Sequence, residues 1–141
     1  MSRRSARDTA FRLYYEYAVT GEFNHDTMII MRDCFEKGMN EKAWEYVLRV
    51  IDIYDKHGET IDKAISLHSN KWNISHIAKV ELSILRLGIC EIIYCDDIHE
   101  AITINECVEL AKKYASDKSA GFVNGIFAAV VSNKNKIHEQ V

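Results

Sequence analysis

Residues 74–95, ISHIAKVELSILRLGICEIIYC, decide the fold. With Asn73 or Ser75 as an N-cap, the run reads as one helix reaching about Cys95. Wound at about 100° per residue, its apolar positions are Ile77, Val80, Leu82, Ile84, Leu85, Leu87, Ile89, Ile92 and Ile93, and they cover most of the circumference. A helix apolar nearly all round belongs at the centre of its domain. Only a narrow polar stripe is left: Lys79, Ser83, Arg86 and Cys90. Other helices must wrap this one.

The flanking sequence supplies them. A first helix follows Ser2 as N-cap, places Ala6, Ala10, Leu13, Tyr14, Tyr17 and Ala18 at helical spacing, and stops at Gly21. A second runs from about Asn24 to Lys37 through Met28, Ile29, Ile30, Met31 and Phe35, with Gly38 as its stop. Asn40 caps a third over residues 41–68. Its stripe of Val47, Ile51, Tyr54, Gly58, Ile61, Ile65 and His68 holds register across Gly58. This predicts one long helix, with Gly58 on the buried side where another backbone comes close. After the Asp96–Asp97 turn, a helix over Glu100–Tyr114 points Ala101, Ile104, Val108 and Ala111 inward. A polar loop, Ser116 to Ser119, leads into a last helix, Ala120–Ser132, burying Val123, Ile126, Phe127 and Val130. The polar tail from about residue 133 is expected to fray.

Composition agrees. The 141 residues form one domain, 1–141, long enough to bury roughly two-thirds of the unfolded surface. They contain no proline and six glycines, too few turn residues for a sandwich or barrel. The fold class is all-α, a compact bundle of six or seven helices. No uncharged stretch reaches the ~20 residues of a membrane span, and no apolar segment follows the N-terminal arginines, so a cytoplasmic protein is expected. Cys34, Cys90, Cys95 and Cys107 read as reduced thiols packed like small hydrophobes.

The net charge of −3 is uneven. Within residues 1–12, four arginines against Asp8 give +3, so the other 129 residues carry −6. Arg3, Arg4, Arg7, Phe11 and Tyr15 fall on one arc of the first helix. Arginines bind phosphate bidentately and tyrosine can stack an unpaired base, a pattern that suits single-stranded RNA. Equally, Phe11 and Tyr15 can widen the core stripe beside solvated arginines. A second candidate lies at Lys118 and Ser119, beside the free N–H groups of a helix start, with Phe122 near the cap. Cys90-x4-Cys95-x3-His99 diverges around a helix, so no metal is expected, and Asp96–Asp97 and Glu106/Glu109 read as caps and solvated faces. No phosphate loop or nucleophile motif is present, which excludes the common enzyme classes and predicts no cofactor.

Three strings carry a resemblance: Val80-Glu81-x3-Leu85-Arg86-Leu87-Gly88-Ile89-Cys90-Glu91-Ile92, Ala101-Ile102-x-Ile104-Asn105-Glu106-Cys107-Val108-Glu109-Leu110-Ala111, and Phe122-Val123-Asn124-Gly125-Ile126. Together with Arg3 to Arg7, they resemble the NusB family of transcription antitermination factors. The resemblance implies seven helices in two three-helix subdomains. It implies binding of boxA RNA together with the ribosomal protein NusE, within the RNA polymerase antitermination complex. Carried onto this chain, RNA contacts fall on Arg3, Arg4, Arg7, Tyr15, Arg86, Lys118, Ser119 and Phe122, and Glu81 is a candidate for the NusE surface. Two departures stand out. Gly121 occupies a position where many relatives carry lysine, with Lys118 as the substitute, and Ile98-His99 fill a loop that often holds proline. The alternatives are a homodimeric interaction module or the RNA-binding domain of an RNA methyltransferase.

Overall fold

In the computed structural model, residues 3–34, 41–69 and 73–134 are described, and among them every regular element is helical. The helices are α1 (Arg3–Thr20), α2 (His25–Cys34), α3 (Glu41–His68), α4 (Lys79–Tyr94), α5 (Glu100–Tyr114) and α6 (Asp117–Ser132). One 3-10 turn, Ile74–His76, precedes α4, so the described residues hold six α-helices where the family resemblance implied seven. The expected Ser2 cap, Phe35, the Gly38 stop and the Asn40 cap lie outside the described residues.

The central role of α4 holds. Every residue from Leu82 to Ile93 is buried, and α4 packs against α1, α3, α5 and α6. Its expected polar stripe does not reach solvent beyond Lys79. Ser83 turns its hydroxyl onto the Lys79 carbonyl at 2.6 Å, and Arg86 and Cys90 are buried. The helix also starts later than the capping signal suggests. Asn73 accepts from the Ser75 N–H, but this closes one 3-10 turn, after which Ile77 is extended and the α-helix begins at Lys79.

Gly21 ends α1 as expected, with a left-handed φ of +88°. α3 runs through Gly58 but kinks beside it, where His57 leaves helical geometry (φ −125°, ψ 19°). A Cβ at Gly58 would lie 3.1–3.3 Å from the ring of Tyr54 on its own helix, so the glycine does not meet a neighbouring backbone. The His57 ring stacks on Tyr94 of α4, 4.4 Å between centroids, which holds the kink against the central helix. The close approach belongs instead to Gly88 on α4, and it is made by side chains of two other helices. A Cβ there would lie 2.4 Å from the Phe127 ring of α6 and 3.1 Å from Cys107 Sγ of α5.

Several further expectations need correction. On α5, Ala111 is buried as expected and Ile104 and Val108 pack half-buried on the core, but Ala101 is exposed and the deepest positions are Thr103, Cys107 and Leu110, one place off the expected stripe. Thr103 bonds a buried carboxylate and Cys107 sits under Gly88, and these contacts set the rotation. α6 begins at Asp117, three residues early, because the Ser116 hydroxyl caps the Ser119 N–H at 3.1 Å. Lys118 and Ser119 are therefore first-turn residues and not a loop. α2 buries none of its residues fully, and Ile30 is exposed. Cys34 is also exposed, whereas Cys90, Cys95 and Cys107 are buried free thiols. At the C-terminal end, Asn133 donates to the Ala129 carbonyl at 3.0 Å and Lys134 lies 3.8 Å from Glu100, so the expected fraying does not begin at 133. The rest of that tail lies outside the described residues.

Gly88→Ala should overpack the α4–α5–α6 junction and cost about 1–3 kcal/mol of stability. Gly125→Ala, where a Cβ meets nothing within 4 Å, should be neutral or stabilising by up to about 1 kcal/mol. Urea unfolding midpoints measure both.

Candidate nucleic-acid interface

The arginines of α1 divide by depth. Arg7 is 1% exposed, and its Nε and Nη2 each donate to Glu91 of α4 at 2.8 Å. Glu91 is fully buried and also accepts from Thr103 Oγ1 of α5 at 2.8 Å and from the Tyr46 hydroxyl of α3. Four elements thus meet on one carboxylate. Burial disfavours the Arg7 cation, yet the bonds and charge of Glu91 outweigh it and raise its pKa above the ordinary arginine value. Burial, then the charge of Glu91, pushes the Tyr46 phenol well above its usual range. The expected surface position of Arg7 is corrected: its donors face inward and are occupied.

Arg4, one turn earlier, stays at the surface with its side chain 71% exposed. Its Nε and Nη2 reach Glu106 of α5, both at 2.8 Å. Arg12 donates to Asp8 at 3.0 Å and to the Tyr114 hydroxyl at 3.0 Å. Asp8 also accepts from Tyr114 at 2.7 Å and from Lys113 Nζ at 3.2 Å. Arg4, Asp8, Arg12, Glu106 and Lys113 line a charged cleft between α1 and α5. Burial alone would raise the Asp8 pKa, but the bonds from Tyr114 and Lys113 hold it below the usual carboxylate range. The Arg4 bond does the same for Glu106.

The aromatic pair on the arc splits. Phe11 is core, 3% exposed and packed at a tilt on Tyr114, 4.8 Å between ring centroids. Tyr15 is exposed at the rim, 6.5 Å from Phe11. Of Arg3, only its place at the start of α1 is described.

Arg86 is a second correction. It is 8% exposed, donates to Asp62 of α3 at 3.0 and 3.1 Å, and lies between the rings of Tyr17 and Tyr54 at 5.5 and 5.2 Å. Tyr54 donates to the same carboxylate at 2.9 Å. This arginine clamps α4 to α3 and α1.

Lys118, Ser119 and Phe122 come together with Glu81, His76 and Ile77 around a second cleft, which shares no lining residue with the first. Lys118 is exposed and Phe122 half-buried at the start of α6. Glu81, the expected partner residue, thus borders the second RNA candidate. Gly121 is exposed with open space where a side chain would project, so no neighbour excludes a lysine there. Among the described residues no group of histidine, cysteine, aspartate and glutamate side chains could hold a metal ion. Among the described residues no helix is long and apolar enough to cross a membrane.

Sequence reasoning missed Glu91, Asp62 and Asp8 as structural acids. The signal for Glu91 was present: a lone carboxylate inside an apolar run must find buried donors.

A family model described as the NusB family matches residues 4–132. The chain is 36% identical over 134 residues to the transcription antitermination protein NusB of Finegoldia magna, covering 95% of this chain and 96% of that one. It superposes on NusB of T. maritima with a TM-score of 0.84 at 26% identity, covering 99% and 98%. A crystal structure of the antitermination factors NusB and NusE in complex with double-stranded RNA matches with a TM-score of 0.80 at 33% identity, covering 92% and 96%.

Glu91→Gln should strand the buried Arg7 cation and cost about 3–5 kcal/mol, read as a lower urea midpoint. The depressed Asp8 and Glu106 carboxyls add stability that is complete above their unfolded values of about 4. That stability is lost as the pH falls through the lower folded values. Asp8→Asn should flatten this acid-side slope in a series of unfolding curves at different pH.

Proposed function

The chain belongs to the NusB family, and we propose that it is a transcription antitermination factor that binds boxA-type single-stranded RNA together with the ribosomal protein NusE. In this reading it acts in the cytoplasm, joins the RNA polymerase antitermination complex and suppresses premature termination during ribosomal RNA transcription. Its role is binding and not catalysis. The observation that carries the reading is the span of the family match, residues 4–132, which takes in both clefts at once.

The two surfaces then have distinct tasks. Arg3, Arg4 and Tyr15 form the α1 edge, where arginine meets phosphate and the exposed tyrosine stacks a base. Lys118, Ser119 and Phe122 form the second contact, over the first two turns of α6, where the helix dipole and the Lys118 ammonium favour an anion. Arg7 and Arg86 serve by position, holding α1 and α3 against α4. Glu81, beside the second contact, faces NusE, and the acidic remainder of the chain suits a basic ribosomal partner. We take the two three-helix subdomains that the family implies as α1–α3 and α4–α6, with residues 1–141 acting as one unit. The exposed ring of Tyr15 favours a single strand over a duplex. A homodimer burying Tyr15 and the exposed Val19 of α1 would compete with RNA for the same edge.

The test is a titration, with and without NusE, against a boxA-type strand, a scrambled strand and the boxA duplex. The boxA strand should bind best with NusE present, and affinity should fall with salt at a log–log slope of about −0.7 per neutralised phosphate. Arg4→Ala should weaken binding to every sequence and flatten that slope, Gly121→Lys should steepen it, and Tyr15→Ala should cost about 1–3 kcal/mol. No preference for boxA with NusE present overturns the reading.

A further inference from the structure

Each arginine of α1 with a described side chain is paired with a carboxylate: Arg4 with Glu106, Arg7 with Glu91 and Arg12 with Asp8. The three pairs are not equally replaceable. Glu91 is fully buried and accepts from three different elements. Asp8 accepts from Arg12, Lys113 and Tyr114 and is largely covered. Glu106 takes hydrogen bonds from Arg4 alone among the described contacts, and Arg4 is the most exposed of the three arginines.

The geometry of that pair matters. Glu106 occupies Nε and Nη2 together, the parallel donors that an arginine presents to carboxylate or phosphate alike. Arg4 cannot give this fork to a phosphate while it holds Glu106. We propose that Glu106 is an internal competitor for RNA: its carboxylate sits in the phosphate seat of Arg4, and binding a strand exchanges one for the other. The proposal rests on reading the α1 edge as the RNA face. No bond to a heavy atom is made or broken; one anion replaces another on the same two donors. Once released, Glu106 remains in a cleft with Glu109 and Asp8. A strand held only by loose charge attraction is therefore disfavoured, and one that also stacks bases or touches the partner is retained.

The experiment compares full-length wild type with Glu106→Gln, Glu109→Gln, Arg4→Ala and the Arg4→Ala/Glu106→Gln double variant, each checked for folding by circular dichroism. Each is titrated with the boxA-type and scrambled strands in the presence of NusE. Glu106→Gln should tighten both strands equally, by about two- to fivefold, because the exchanged group carries no sequence information. Glu109→Gln removes the same charge three residues on without touching the Arg4 fork, and it should gain less. In the Arg4→Ala background the gain should vanish. The proposal is overturned if Glu106→Gln binds no tighter, if its gain survives without Arg4, or if Glu109→Gln gains as much. Should wild type bind neither strand, the RNA reading falls too; should wild type bind while Glu106→Gln changes nothing, only the competitor falls.

Discussion

A carboxylate in the middle of a protein has to be surrounded by donors, and Glu91 sets that demand here. It lies on the central helix with no exposure and receives Arg7 from α1, Tyr46 from α3 and Thr103 from α5. An unpaired charge at this depth would cost several kcal/mol, so the three donors have little freedom to move. Their positions fix the rotation of each helix about its axis. With Arg7 turned inward, Arg4 and Tyr15 fall on the rim of α1. With Thr103 turned inward, Glu106 rises to meet Arg4. The surface chemistry is thus a by-product of a buried requirement.

The Arg86–Asp62 pair repeats this logic on the other side of α4, with Tyr17 and Tyr54 enclosing the cation. Arginine suits both positions because its planar fork satisfies a carboxylate and its face packs on a ring. The basic character of α1 consequently has two layers. Arg7 is structural, and Arg4 and Arg12 lie at the surface in contact with carboxylates of the chain itself. A local charge of +3 on residues 1–12 is much smaller in effect than the count suggests.

The elements were legible wherever periodicity and caps decide them. Gly21 and the bounds of α5 follow from local rules, as does the enclosure of α4 by other helices. The start of α6 also had a local signal, since Ser116 stands three residues before Ser119, but a polar tetrapeptide reads as loop when its first serine is not recognised as a cap. What periodicity cannot supply is the identity of a partner on another helix. Arg4 and Arg7 lie on the same arc, and only Glu91, 84 residues away from Arg7, sends one inward and leaves the other out. Gly88 is similar, because its meaning appears only when Phe127 and Cys107 arrive from two other helices. The face of α5 was misread by one position for the same reason.

The central claim is a division of labour among arginines: Arg7 and Arg86 are struts, and Arg4 meets the ligand. Side-chain Nε–H resonances of the arginines, followed by NMR during titration with a boxA-type strand and NusE, test it directly. The account predicts that the Arg4 signal shifts on binding while those of Arg7 and Arg86 stay in place and remain protected from solvent exchange. A shift or loss of protection at Arg7 that tracks RNA binding, with Arg4 unmoved, would contradict it.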